Sequence, residues 1–308
     1  MKKTVRYVLF TLIGFVILTA LFFSIRQGLV NAEIKREAQA IPTSIPTLET
    51  TTQLEILPLY EEARTNVSFE FGHGVSYLIR TDSATILMDL GNNPTEVAQL
   101  PAIQNMQNLG ISWEEIDAIV ISHPHPDHVG GLKAWQHKTV SFGDFTGDLS
   151  KVSIYTPIAM TYPGTTIVYS SQPTLISPDS ATTGVIPFPE VASLSVLNPK
   201  SYEQALVIHV AGEGLVMVTG CGHPTLEMLV TRVEELFGED VIGVVGGLHY
   251  LEASAEDVQP HIQFLEARQP KLIALSPHDS GSETLEAFRS AFPEAYREIK
   301  VGEAIQFP

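Results

Sequence analysis

The chain has 308 residues, of which 44% are hydrophobic and 17% are charged. These proportions exclude global disorder and allow one large core or two modest domains. The formal net charge is −17, and because so acidic a surface repels phosphate backbones, we predict no nucleic-acid partner. The single cysteine, Cys221, excludes an intrachain disulfide and leaves one thiol to be explained by burial or by metal chemistry.

The chain begins with an apolar segment behind a basic cluster. Between Arg6 and Arg26 lie nineteen uncharged residues, which as a helix would span about 28 Å, close to the hydrocarbon thickness of a bilayer. The basic residues ahead of this run predict that its first end stays in the cytoplasm. We therefore predict a membrane anchor over residues 1–26 that holds the rest of the chain outside the cytoplasm. A cleaved signal peptide, followed by secretion, is the alternative.

A tether and a folded domain follow in the predicted order. Residues 27–54 contain Gln, Glu, Thr and Pro without sustained apolar periodicity, which is typical of a flexible tether. Residues 55–308 are predicted to form the folded domain. The patterns in its first part are a strand at Val75–Ile79, a strand at Thr85–Asp89, a helix at Pro94–Leu109 and a strand at Asp117–Ser122.

The second part of this domain changes its pattern along the chain. Residues 134–200 are short β-prone pieces interrupted by Pro and Gly. The patterns after them are a hairpin at 205–219, a helix at Thr225–Phe237, a strand at Val241–Val245, a helix at Ala255–Arg268 and a strand at Lys271–Leu275. Early hairpins and late alternation of strand and helix predict an α/β (α+β) fold, with mixed sheets and helices outside them.

The strongest chemical signal is the sequence His-Pro-His-Pro-Asp-His at residues 123–128. In a purely structural role, three imidazoles and a carboxylate in so small a volume would each need a polar partner. On a loop after a buried strand they become convergent nitrogen and oxygen ligands, which suit zinc and also iron or manganese. The motif therefore predicts a metal site at the end of the strand Asp117–Ser122.

This motif, followed by Gly130-Gly131, resembles the hallmark His-x-His-x-Asp-His of the metallo-β-lactamase superfamily. The resemblance extends over roughly residues 66–300. It implies a four-layer αββα sandwich, in which two mixed sheets face each other and a binuclear metal site lies at one edge. Two divalent ions are implied, with zinc expected and manganese or iron as alternatives.

The resemblance also implies ligands for both ions. His123 and His125 are expected on the first ion, and Asp127 and His128 on the second. Two further histidines each follow a predicted strand and are expected as ligands at the same sheet edge: His223, and His278, which matches the last histidine of the superfamily. Water instead of His223 could complete the first ion, because His137 and His209 do not lie at suitable strand ends. This departure argues against an antibiotic-hydrolysing lactamase.

Four more residues are expected around the ligands. Asp89 matches the aspartate that orients the ligand loop from behind the metal. His73 is flanked by glycines and is expected to line the pocket. Cys221 is expected beside the ligands, with a thiolate ligand and a small buried hydrophobe as open alternatives. His249, together with Asp127, is expected to act in catalysis, His249 as a proton donor that faces the substrate.

Other motifs are similar to one branch of the superfamily, the dihydropterin ribofuranosyl-aminobenzene phosphate synthase-like proteins. They lie at residues 71–76, 219–224, 246–249 and 276–278, where the Gly-Cys-Ser-His element of the branch is Gly-Cys-Gly-His. The expected function is that of a metal-dependent hydrolase, in which a hydroxide at the binuclear site attacks a small-molecule ester, lactone or phosphodiester. The alternatives are an iron-dependent redox enzyme of the same fold and a non-catalytic metal-binding or sensor domain on the membrane.

Overall fold

The computed structural model of the protein describes residues 2–190 and 200–307. The chain divides into two compact units, one made of Met1–Ile41 and Pro187–Ser201 and the other of Pro42–Ile186 and Tyr202–Pro308. Residues 191–199, which fall within the predicted β-prone region 134–200, lie outside the described residues.

The first unit is built on the helix α1 (Lys2–Ala38). From Tyr7 onward it is long and apolar enough to cross a membrane, a test that a signal sequence would also pass. The helix continues past the predicted end at residue 26, because residues 27–38 are mostly helix formers such as Ala, Glu, Gln, Lys and Arg. The first part of the predicted tether is therefore helical.

Within the described residues, the strands of the second unit form two large sheets. The first sheet, in order of pairing, is β15 (Ile305–Gln306), β1 (Glu55–Tyr60), β2 (Ser76–Arg80), β3 (Thr85–Met88), β4 (Ala118–Val120), β5 (Ser153–Thr156) and β6 (Thr166–Tyr169). The second is β14 (Leu272–Leu275), β13 (Val241–Gly246), β12 (Gly214–Val218), β11 (Leu206–Val210), β8 (Ser180–Thr182) and β7 (Thr174–Ser177). Both sheets mix parallel and antiparallel pairs. The remaining strands are β9 (Ile186–Pro189) and β10 (Lys200–Glu203).

The helices of the second unit lie outside the two sheets. They are α2 (Pro101–Asn108), α3 (Leu132–Gln136), α4 (Leu226–Phe237), α5 (Gln259–Glu266) and α6 (Ser282–Ala291). Successive residues of a strand face opposite sides of its sheet. Thus Ile79 and Ile86 belong to the core between the sheets, whereas Leu78 and Leu87 belong to the core that includes residues of α2 and α3. A third core joins the second sheet to α4, α5 and α6. The predicted αββα arrangement is confirmed.

Several predicted element boundaries are wrong, and proline accounts for two of them. The helix predicted to begin at Pro94 begins at Pro101, and the helix predicted to begin at Ala255 begins one residue before Pro260. Proline fits the first turn of a helix, where its missing N–H costs nothing. The strand β1 and the helix α6 were not predicted.

The topology gathers chain segments at one edge of the sheets. The strands β3 and β4 are parallel, and so are β12, β13 and β14. Parallel strands end at the same edge of a sheet, and in open sheets of this kind the loops after those ends form the binding crevice. The loops after these five strands carry Asp89, the motif at 123–128, Cys221 with His223, His249 and His278.

A chain that begins at residue 42 is expected to fold as well as the full chain. The backbone N–H of Thr51 donates to the carbonyl of His209 at 2.9 Å, and that of Phe307 donates to the carbonyl of Leu54 at 2.9 Å. Because Thr51 and Leu54 bond to the folded domain, the domain begins before Thr51. A chain that begins at residue 55, the predicted boundary, should lose about 3 kcal/mol of folding free energy with these contacts and the buried Leu54. Thermal unfolding followed by circular dichroism compares the two, and equal midpoints would contradict the longer boundary.

Candidate metal centre

The histidine loop is held from behind by Asp89. This residue follows β3, is fully buried and has a φ of +57°. Its Oδ1 accepts the backbone N–H of Ser122 at 2.7 Å, and its Oδ2 accepts the Ser122 hydroxyl at 2.6 Å. The same Oδ2 lies 2.7 Å from His128 Nδ1. The Nε2 atom of His128 is therefore directed away from Asp89, as a metal ligand requires.

One candidate ligand group consists of His123, Cys221 and His223. Their ligand atoms all lie within 4.8 Å of one another. His125 lies between the two histidines, with its Nδ1 3.0 Å from His123 Nε2 and 3.2 Å from His223 Nε2. The structure thus brings together the three histidines predicted for the first ion, together with a sulfur.

The second candidate ligand group consists of Asp127, His128, Cys221 and His278, again with all ligand atoms within 4.8 Å. The Asp127 Oδ2 atom is 3.5 Å from His128 Nε2. The Cys221 Sγ atom is 3.1 Å from His128 Nε2 and 3.4 Å from His278 Nε2. Cys221 thus belongs to both groups. Its sulfur lies among the ligand atoms themselves, whereas the prediction placed it beside them.

The chemistry of these donors fits divalent metal ions. Imidazole nitrogen, carboxylate oxygen and thiolate sulfur are the ligands that zinc prefers, and iron accepts the same set. Burial, and then the neighbouring histidines, hold the pKa of His123 and of His223 well below the usual value, so both rings are neutral. A neutral imidazole is the form that binds a metal. Burial raises the pKa of the Cys221 thiol, against the effect of His128 and His278, and a bound metal would remove its proton.

The loops after β12 and β13 are packed backbone against backbone. A Cβ atom on Gly220 would lie 2.1 Å from the Ser122 hydroxyl oxygen, and a Cβ atom on Gly247 would lie 2.4 Å from the Gly220 carbonyl oxygen. Only glycine has room at these two positions. The close approach brings Cys221 beside the histidine loop.

His249 and His73 flank the ligand groups. The His249 ring lies 4.6 Å from that of His223, and its Nδ1 is 3.3 Å from Asp279 Oδ1. The hydrogen bond with Asp279 raises the pKa of His249 above its usual value, despite an opposing effect of burial. The half-exposed His73 has its Nε2 3.5 Å from Asp127 Oδ2 and its Nδ1 3.0 Å from Glu62. Both rings border the site, where each could exchange a proton with a bound molecule.

Three buried carboxylates of the site were not predicted. Glu203 ends β10 and accepts the backbone N–H groups of Gly222 at 2.8 Å and His223 at 2.9 Å, and burial raises the pKa of its carboxyl to about 7. Asp279 holds His249, and Glu61, which follows β1, contacts the His278 backbone. The sequence signal that could have found Glu61 is an acidic residue directly after the apolar strand β1.

Two other histidines lie away from these groups. His209 pairs with Leu215 close to the turn of the β11–β12 hairpin, whereas the ligand loop follows Val218 at the opposite end of β12. His137 follows α3 and is exposed. That neither is a ligand stays a prediction.

Comparison with known proteins finds matches to the histidine motif and to the fold. Residues 70–140 match the model of the metallo-beta-lactamase superfamily. A solved metal-dependent hydrolase of the beta-lactamase superfamily has a TM-score of 0.60 at 21% identity, covering 82% of this chain and 98% of its own. The metallo-beta-lactamase fold protein YhfI from Bacillus subtilis has a TM-score of 0.53 at 12% identity, covering 83% and 99%.

The family model thus matches the segment that contains the histidine motif, and these solved structures share the fold of this chain. A curated relative from Methanocaldococcus jannaschii, 7,8-dihydropterin-6-methyl-4-(beta-D-ribofuranosyl)-aminobenzene-5'-phosphate synthase, is 28% identical over 289 residues. The match covers 82% of this chain and 97% of the relative. The predicted resemblance to the synthase-like branch is thus confirmed.

Proposed function

We propose that this protein is a metal-dependent hydrolase that binds two divalent ions, and that zinc is the preferred metal. The observation that carries the proposal is the pair of ligand groups at one sheet edge, which share Cys221. A purely structural zinc site needs four ligands around one ion. Two adjoining groups with the oxygen, nitrogen and sulfur donors described above are instead typical of a two-metal catalytic centre.

When bound, the ions would activate water and stabilise the negative charge that develops during hydrolysis. The residues of the chain would orient the attacking water and supply a proton to the leaving group. Asp127 would bind in the second group and accept a hydrogen bond from the attacking water. His249, held by Asp279, would donate a proton to the leaving group, and its raised pKa keeps that proton available.

The substrate class that we propose is a small-molecule ester, lactone or phosphodiester. The curated relative is named for a synthase whose named product carries a 5'-phosphate, which favours a phosphodiester for the first assay. We do not transfer the synthase activity itself, because the proposed export of this chain separates it from a cytosolic pathway. The net charge of −17 supports the absence of a nucleic-acid partner.

We propose that α1 anchors the protein in the membrane and that the second unit works outside the cytoplasm. The exposed apolar side chains between Tyr7 and Leu29 support this proposal. The four charged residues of the first thirty are all basic, and three of them precede the apolar run, which favours a cytoplasmic first end. Cleavage and secretion remain the alternative outcome, which the mass of the mature protein from a membrane fraction would reveal.

The test combines metal content with turnover. The full chain in detergent should contain two zinc ions, hydrolyse at least one of bis-p-nitrophenyl phosphate, an acyl lactone and a p-nitrophenyl ester, and lose turnover with a chelator. Added Zn²⁺ should restore turnover. Iron with oxygen-dependent turnover would favour the redox alternative, whereas two ions without any turnover would favour the sensor alternative.

A further inference from the structure

Glu61 has a buried carboxylate that accepts hydrogen bonds from four neighbouring groups. It follows β1 directly and is fully buried. Its Oε1 accepts the Tyr77 hydroxyl at 2.8 Å and also the Ser276 hydroxyl. Its Oε2 accepts the backbone N–H of Glu62 at 2.9 Å and that of His278 at 3.2 Å. Four donors thus point at its two oxygens, and the carboxylate acts as the acceptor in all four hydrogen bonds.

The direction of these hydrogen bonds determines which nitrogen of His278 carries a proton. The Ser276 hydroxyl has one hydrogen, which it gives to Glu61, because a carboxylate accepts only. The hydroxyl oxygen lies 2.5 Å from His278 Nδ1 and must therefore accept a hydrogen from it. The proton stays on Nδ1, and the lone pair of a neutral ring is on Nε2, the atom 3.4 Å from Cys221 Sγ.

The same succession of a carboxylate, a serine hydroxyl and a histidine occurs at the first ligand group. There the Ser122 hydroxyl donates to Asp89 Oδ2 at 2.6 Å and lies 3.0 Å from His123 Nδ1. Each candidate group thus has a buried carboxylate that acts on a histidine through a serine. Asp89 follows β3 and Glu61 follows β1, so the repetition does not come from one local motif.

We infer that Glu61 is a positioning residue that, through Ser276, holds the His278 ring with its Nε2 lone pair directed at the second ion. The inference rests on the proposed metal centre. A metal ligand whose other nitrogen donates to a carboxylate is oriented and made more basic, and loss of such a partner typically weakens metal binding about 10–100-fold. Glu61 is expected to have this effect through one intervening hydroxyl.

The test measures zinc affinity by competition with a chromophoric chelator, using the full chain in detergent. Glu61→Gln should weaken zinc binding at the second ligand group by about 10–100-fold. In this variant the side-chain amide can donate a hydrogen bond to the Ser276 hydroxyl. The Ser276 hydroxyl would then donate its own hydrogen to His278 Nδ1 instead of accepting one. Ser276→Ala, which keeps the carboxylate and removes only the connection, should also weaken binding. Tyr77→Phe removes another partner of Glu61 from the same buried cluster and should change the affinity by less than about threefold.

A double-mutant cycle separates positioning from general loosening of the fold. In a His278→Ala background, Glu61→Gln should cause no further loss of zinc affinity, whereas in a His223→Ala background its full effect should remain. Additive losses with His278→Ala, or an unchanged affinity in both Glu61→Gln and Ser276→Ala, would overturn the inference. A wild-type chain that binds zinc but hydrolyses nothing would contradict the proposed function alone, and one that binds no zinc would contradict both.

Discussion

Asp127→Asn is expected to lower turnover by about 10³-fold or more while the protein stays folded. Asp127 is the carboxylate of the second ligand group, and its Oδ2 is 3.5 Å from both His128 Nε2 and His73 Nε2. Burial tends to raise the pKa of this carboxyl, but the neighbouring His128 and His278 lower it by more, so the net shift is downward and the group is ionised at neutral pH. An amide keeps the shape of the side chain and removes the charge that would hold the ion.

The measurements are kcat on the substrate that the assay panel identifies, metal content and the thermal unfolding midpoint. Asp148→Asn is the matched control, because it removes one charge from an exposed aspartate in another loop. It should leave all three quantities unchanged. Full turnover and full metal content in Asp127→Asn would remove Asp127 from the site.

His223→Ala is expected to weaken zinc binding at the first group by more than about 100-fold, beyond the usual effect of a residue that only contacts a ligand. The imidazole Nε2 of His223 lies 3.2 Å from His125 Nδ1, and its loop is held by the Glu203 carboxylate. If zinc binds there, the distance from its ion to the imidazole nitrogen should be about 2.0–2.1 Å.

The control for this variant is His209→Ala. Both histidines are partly buried, but His209 lies near the hairpin turn at the other end of β12. Zinc titrations should therefore give wild-type affinity for His209→Ala. A structure of the zinc-loaded protein with His209 on an ion, and His223 directed into the core, would contradict the ligand set.

The αββα fold was implied by the family resemblance, and that resemblance was visible because the histidine motif is a local pattern. A six-residue motif after an apolar strand is visible without any tertiary information. The end of the first helix was predicted too early, since a polar composition after residue 26 was interpreted as a tether, although those residues are good helix formers. The strand β1 was missed because it contains Pro58, a residue that argues against a strand interior.

The parts of the site that were not predicted depend on contacts between distant residues. Glu61 and Ser276 are 215 positions apart, and their hydrogen bond exists only because β1 and β14 end at the same edge. Cys221 is 93 positions from His128, so its dual membership in the ligand groups follows from sheet topology. The roles of both side chains emerge only once the strands are assembled.

The two glycines between the ligand loops limit how this site can evolve. Any side chain at Gly220 would collide with Ser122, and any side chain at Gly247 would collide with the backbone at Gly220. Ligand residues can be exchanged for others of similar reach, as carboxylate, imidazole and thiolate all bind divalent ions. These glycines have no such substitutes. Descendants of this chain can therefore drift in metal preference and substrate while the two positions without side chains remain fixed.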